Sequence, residues 1–323
     1  MFKIAPLIRR TALLHRTLNV GTLYRKYIQK VIKDLPDRTL MYTPGDSERK
    51  LSKNCSADVL ILDMEDGVSP NRRELAREMI LDHLSKGKIQ AKGKTILRIN
   101  PISTREGAND LTEIINHQGS NGTFSGLLLP KVNEVKDVEI VTQMLEKKKL
   151  DNIQLYLTIE TAQGIVNLKD IVSASRWAPI SGLVFGAEDY CADVGVKRTK
   201  SCQELLYTRS KIVTYARAFN LQCIDLVSIE FRDKKRLTEE CLQGWNLGFT
   251  GKQVIHPNQI DVVNKIFGPT EKEIKQAKEI VLQYFSNVNG SIDYHGVSID
   301  TPMIKSSLRV LVQANIDIEK LQK

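Results

Sequence analysis

The chain reads as an α/β protein, a (β/α)8 TIM barrel with a C-terminal helical extension. Three observations point there. Eight short apolar runs recur between positions 38 and 268, and helix-like segments separate them. Polar residues collect at the C-terminal ends of these runs, where barrel enzymes place their chemistry. A doubly wound sheet is the rival, but the chain has neither G-x-G-x-x-G nor G-x-x-x-x-G-K followed by Ser or Thr.

The first strand is expected over 38–42 and leads into Thr43-Pro44-Gly45. The second, Val59-Leu60-Ile61-Leu62, reads as buried on both faces, as in a helix-covered parallel sheet. It breaks into Asp63-Met64-Glu65-Asp66-Gly67, three carboxylates that repel one another unless a cation or a proton intervenes. The third strand, 95–100, carries Arg98 and Asn100 near its end. The fourth, 126–131, closes on Pro130-Lys131. The fifth, 153–161, places Glu160 near its end, and the sixth, 182–189, ends Gly186-Ala187-Glu188-Asp189. The seventh covers 223–229. The eighth, 253–257, carries His256. Helices are expected at 69–84, 133–149, 201–219 and 238–247 from apolar spacing and N-terminal signals. Beyond the barrel, 270–285 predicts a helix, 287–290 a turn, 291–299 an extended piece and 302–312 a last helix. Three regions follow: a leader at 1–33, the barrel at 34–268 and the extension at 269–323.

Charge narrows the function. The net +9 suggests nucleic acid, but residues 1–33 hold eight bases and no acid. Removing those eight from the chain's 47 leaves 39 bases against 38 acids. The near-neutral remainder argues against nucleic-acid binding. An acid-free leader rich in Arg and Leu has the composition of a mitochondrial transit peptide, with a basic tail as the alternative. No apolar stretch approaches the ~20 residues that span a bilayer, so no membrane partner is expected. Five scattered cysteines and five scattered histidines show no zinc spacing; a reducing compartment and buried filler cysteines are the simple reading.

Several residues could do chemistry. Glu160 and Asp189 end adjacent strands, ~4.8 Å apart in a barrel, and could share a Mg2+ ion with water and substrate oxygens. The alternative is that each caps a helix. Asp63 and Glu65 share one face of the second strand. Arg98 beside Glu65 could hold an oxyanion or form a structural ion pair. Asp46 or Ser47 could cap a helix that puts Arg49 and Lys53 on one face, suited to phosphate or simply exposed. Thr301 before Pro302 reads as a helix cap, which leaves Asp300 spare. His256 before Pro257 reads as a packed strand-end residue or a catalyst.

The motifs Leu40-Met-Tyr-Thr-Pro-Gly45, Leu62-Asp-Met-Glu-Asp-Gly-Val68, Leu97-Arg-Ile-Asn100, Leu129-Pro-Lys131, Ile159-Glu-Thr-Ala162, Phe185-Gly-Ala-Glu-Asp189 and Gly251-Lys-Gln-Val-Ile-His-Pro-Asn258 carry a resemblance. Together they are similar to the citrate lyase β-subunit-like family of the HpcH/HpaI aldolase superfamily. The resemblance implies a Mg2+-dependent lyase that cleaves (3S)-citramalyl-CoA to acetyl-CoA and pyruvate. Malyl-CoA is a related substrate, and a mitochondrial matrix location goes with the leader. Malate or β-methylmalate synthesis with thioester hydrolysis, or a non-catalytic lyase subunit, are the alternatives. The resemblance places metal on Glu160 and Asp189. It places substrate contacts at Tyr42, Arg49, Lys53, Arg98, Ile255, His256 and Pro257. Asp300 becomes the acid–base group, working on a neighbouring copy in a homotrimer. Arg98 becomes the charge stabiliser, with Glu65, Asp63 and Asp66 orienting it and metal-bound water. Related sequences often carry Lys at position 49 and Phe at 190.

Overall fold

The computed structural model describes residues 36–118, 124–286, 292–294, 296–314 and 316. They form two compact units, Asp37–Phe267 and the described part of Gly268–Lys323. The expected leader and the turn at 287–290 lie outside the described residues. Among the described residues, no helix is long and apolar enough to cross a membrane.

In the first unit eight parallel strands close into a barrel in sequence order, with β8 beside β1. They are β1 Thr39–Pro44, β2 Val59–Asp63, β3 Lys94–Arg98, β4 Gly126–Leu129, β5 Gln154–Ile159, β6 Ile180–Phe185, β7 Gln222–Asp225 and β8 Gly251–Val254. The helices between them are α1 Glu48–Leu51, α2 Arg73–Ser85, α3 Arg105–Gln118, α4 Val135–Lys147, α5 Ala162–Val166, α6 Leu168–Val172, α7 Ala187–Val194, α8 Leu206–Ala218 and α9 Lys234–Leu247. After β8 comes α10 Ile260–Ile266.

Strand periodicity sorts the side chains. Leu40, Val59, Ile61, Ile96, Leu128, Tyr156, Val184 and Ile224 fill the lumen. Leu60, Leu62, Leu97, Leu127, Leu129, Leu157 and Leu183 face outward into the helix layer. This two-sided burial explains the unbroken apolar runs. Gly182 lets the Tyr156 ring occupy the middle of the lumen, since a Cβ there would stand 2.7 Å from it.

Several expected boundaries shift. β3 ends at Arg98, so Asn100 lies beyond it; β5 ends at Ile159, one residue before Glu160; β7 ends at Asp225 rather than at 229; β8 covers Gly251–Val254, so His256 lies past it and caps a 3-10 turn, Pro257–Gln259. β6 stops at Phe185 rather than reaching Asp189. Tyr190 N–H donates to Gly186 O at 3.0 Å, and helical bonding takes over there. α1 ends at Leu51, two residues before Lys53.

In the second unit, α11 Glu271–Ser286 packs on α12 Thr301–Gln313 around Ala277, Ile280, Val281, Ile304, Leu308 and Leu311. The expected extended piece is a short antiparallel hairpin, β9 Ile292–Tyr294 with β10 Val297–Ile299. The cap expected at Thr301 falls instead on Asp300, whose Oδ1 accepts the Met303 N–H at 3.0 Å. Its extended backbone aims the carboxylate at that free N–H, and Thr301 becomes the first helical residue.

Candidate active site

The same periodicity carries polar side chains inward at the C-terminal mouth. Past Leu40, Tyr42 faces the lumen; past Ile61, Asp63 does; past Ile96, Arg98 does. Asp63 and Arg98 are register partners on neighbouring strands. Arg98 forks onto Asp63, Nε to Oδ1 at 2.7 Å and Nη2 to Oδ2 at 2.6 Å. Its Nη1 lies 2.8 Å from Glu65 Oε2, and its guanidinium sits 4.9 Å from the Tyr42 ring centre. Bidentate pairing gives the guanidinium one orientation. Burial opposes its charge, but Asp63 and Glu65 outweigh burial and raise its pKa. Reading Glu65 as the arginine's partner was incomplete, since Asp63 holds the fork.

Asp63 also sets the loop that follows. Its oxygens accept the N–H groups of Glu65 (2.9 Å) and Gly67 (3.0 Å). A Cβ at Gly67 would lie 2.2 Å from Asp63 Oδ2, so only glycine closes this turn. Asn100 does not join the arginine. Its Nδ2 donates to Met64 O at 3.0 Å and to Asp110 Oδ2 at 2.7 Å, pinning the acidic loop from behind.

Across the mouth, Glu160 is buried at the end of β5. Its Oε1 accepts the Lys131 N–H at 2.6 Å. Its Oε2 lies against Gly186, where a Cβ would stand 2.2 Å away. Burial, then the charges of Asp189 and Glu65, push its carboxyl up to about 8. Asp189 sits in the first turn of α7 rather than on a strand, yet it remains close enough to act on Glu160. Glu65 is raised too, by burial first, against the pull of Arg98 and Lys131. Burial is the first cause of both shifts, and at Glu160 the neighbouring carboxylates add to it.

Like charges beside a buried carboxylate bear on the metal expectation. Among the described residues no three His, Cys, Asp or Glu converge as a ready metal cage. The two carboxylates expected to hold a metal, Glu160 and Asp189, both line the pocket wall. An all-oxygen pair that leaves positions to water and substrate fits Mg2+ and not zinc.

One pocket of about 740 Å3 brings the expected residues together. Tyr42, Arg49, Lys53, Asp63, Asp66, Arg98, Glu160, Asp189, Ile255, His256 and Pro257 all line it. Glu65 is buried, 1 % exposed on its side chain, and reaches the site through Arg98 and Lys131. Arg49 and Lys53 do not share a helix face, because α1 is too short, but both reach the wall, joined by Lys50. Ser47 stands at the N-cap position of α1 without a side-chain cap bond, while Asp46 pairs with Arg72 at 2.7 Å. His256 is half-buried, two residues past the end of β8, and lines the pocket. Its Nδ1 accepts from Asn258 N–H at 3.2 Å, and its ring stacks on Phe231 with centres 5.0 Å apart. Asp300 belongs to the second unit.

Two residues escaped notice. Gln253 accepts from the Tyr42 hydroxyl at 3.0 Å and donates to Phe185 O and Asp225 O, tying three strands to Tyr42. Burial pushes the Tyr42 phenol up, so it is a neutral donor. Strand periodicity, which puts Gln253 on the face opposite its neighbours Lys252 and Val254, was the available signal. Lys131 was the other: its position after a strand gave no hint of its partners. All five cysteines are free and buried.

Comparisons with known proteins follow this geometry. A family model described as HpcH/HpaI aldolase/citrate lyase matches residues 38–257. The mitochondrial citramalyl-CoA lyase of Homo sapiens is 35% identical over 304 residues, 89% of this chain and 88% of that protein. The (3S)-malyl-CoA thioesterase of Cereibacter sphaeroides is 30% identical over 251 residues, 77% of this chain and 83% of that protein. Among solved structures, protein CitE of Mycobacterium tuberculosis, crystallised with magnesium, acetoacetate and coenzyme A, superposes with TM-score 0.65 at 26% identity. That match covers 87% of this chain and 98% of the other.

Proposed function

This chain belongs to the HpcH/HpaI aldolase/citrate lyase family and is a carbon–carbon lyase. From that premise we propose that it cleaves (3S)-citramalyl-CoA to acetyl-CoA and pyruvate with Mg2+. The observation that carries the reading is the pocket itself. An under-neutralised acid pair, Glu160 and Asp189, faces a fixed guanidinium, Arg98, below a cationic rim.

Glu160 and Asp189 would hold the metal, which when bound supplies a Lewis acid for the hydroxyl and carboxylate of the substrate. Arg49, Lys50 and Lys53 suit the phosphates of coenzyme A. In cleavage the substrate hydroxyl would lose its proton to water in the open pocket, its oxygen would become the keto oxygen of pyruvate, and the C–C bonding pair would pass to the acetyl fragment as a thioester enolate. Arg98, already oriented by Asp63, would meet charge on the developing oxygens. Asp300 from a second copy in a homotrimer would give a proton to the enolate carbon, and in reverse would take one from the methyl group. The basic leader and the mitochondrial relative support a matrix location.

Purified protein lacking the leader should convert citramalyl-CoA to acetyl-CoA and pyruvate, with activity lost in chelator and restored by Mg2+. Metal-independent cleavage would sink the metal assignment. The malyl-CoA thioesterase relative supports a second reading, in which free CoA and a hydroxy acid accumulate instead of acetyl-CoA. Asp300→Asn keeps a good helix cap but removes the acid. It should lower kcat about a thousandfold with thioester binding retained, and unchanged turnover would remove Asp300 from the mechanism.

A further inference from the structure

Lys131 stands between the two acidic walls of the mouth, and each half of the residue is used. Its backbone lies at φ +53°, a left-handed conformation unusual for a side-chain-bearing residue. That turn points its N–H at Glu160 Oε1, 2.6 Å away. Its ammonium runs to the opposite wall, 3.1 Å from Glu65 Oε1 and 3.7 Å from Asp66 Oδ1. Strained backbone at an enclosed charged site marks a position fixed by what it contacts.

The N–H occupies one oxygen of Glu160. The other, Oε2, lies towards Gly186, at the start of the segment that carries Asp189. Among the described residues, the ammonium is one of two cations in contact with the acidic loop, Arg98 being the second. Arg98 is locked by Asp63 and has no freedom to follow a metal. Lys131, on a flexible stem and 38% exposed on its side chain, has that freedom.

We propose that Lys131 is a positioning residue with a resident charge: its backbone selects the Glu160 oxygen offered to the divalent ion, and its ammonium competes electrostatically with that ion. This rests on the metal reading above. The competition weakens Mg2+ binding, so the ion exchanges from the site, and it stabilises the mouth when the ion is absent.

The test is calorimetric titration of Mg2+ into the full protein, with no substrate present, alongside thermal unfolding in chelator. Lys131→Met removes the charge. Lys131→Asn also removes it and suits the left-handed backbone, so one of the two folds even if strain defeats the other. Both should bind Mg2+ roughly tenfold tighter, the size expected for one unit charge acting on a divalent ion across a hydrated pocket. Both should unfold at lower temperature than the wild type in chelator. Lys131→Arg should bind Mg2+ as the wild type does, because charge and not shape is at issue. A merely structural role predicts weaker binding, and weaker or unchanged affinity in both neutral variants would overturn the proposal. Glu160→Gln separates the two readings. If it abolishes Mg2+ binding while the Lys131 variants bind no tighter, only the lysine proposal falls. If it binds like the wild type, the metal assignment falls and the lysine proposal with it.

Discussion

At the floor of the barrel two acids, Asp37 and Asp58, meet two cations, Lys94 and Arg38. At the mouth Asp63, Glu65, Asp66, Glu160 and Asp189 meet Arg98 and Lys131. The floor is closed on itself. Arg38 forks onto Asp58 at 2.7 and 2.9 Å, Lys94 reaches Asp37 at 3.0 Å, and the Tyr156 hydroxyl also donates to Asp37. The mouth keeps an acid surplus against an open pocket. Both ends bury ionisable groups, so burial does not mark the site. The imbalance does: a balanced cluster stabilises the fold, whereas a surplus of one sign facing a cavity needs a charge from outside.

Mutations should therefore behave oppositely at the two ends. The largest effect is expected at the mouth. Glu160→Gln should lower Mg2+-dependent kcat/KM about a thousandfold, about 4 kcal/mol in transition-state terms, while leaving unfolding temperature in chelator equal or higher. A marked loss of stability would show that Glu160 is structural and would erase the contrast. Next comes the floor. Asp37→Ala leaves Lys94 and the Tyr156 hydroxyl without their partner and should cost about 3 kcal/mol, read by denaturant unfolding, with KM for the thioester unchanged. Lost metal binding there would contradict the division.

The smallest effect is a pH slope. Glu160 has a folded pKa raised to about 8 from an ordinary 4.5. Between those values the folded state binds more protons than the unfolded state, so stability falls as pH rises. In chelator the unfolding temperature should decline from pH 5 to pH 8. Mg2+ should flatten the decline, and Glu160→Gln should remove the Glu160 share. Asp37, raised chiefly by burial, contributes a residual slope that persists in both cases. A wild-type slope unchanged by either treatment would mean that the mouth is no less neutralised than the floor.

Much of this was legible because parallel strands buried on both faces leave unbroken apolar runs, as in Val59–Asp63. The Asp63, Glu65 and Arg98 cluster was legible because strand periodicity puts alternate residues on one face. What failed is equally physical. Gly186-Ala187-Glu188-Asp189 serves as well for a helix start as for a strand end, and only the Tyr190-to-Gly186 bond decides it. Asp300 and Thr301 are both good caps, and backbone direction chose the aspartate. The chain outline of Glu48–Leu51 gave no sign that its helix would stop before Lys53. Lys131 was missed because a lone lysine after a strand has no periodic partner; its left-handed backbone is a property of the folded chain.

The Tyr156 ring, seated against Gly182, plugs the lumen between the two ends. Lys94 and Arg98 share one strand, four residues apart, which is roughly 13 Å of apolar packing. Perturbations on either side of that plug have no common partner, so their free energies should sum in double variants. The floor is then an independent handle. Thermal adaptation, whether by natural drift or in the laboratory, can proceed through Asp37, Asp58 and their cations and leave turnover untouched.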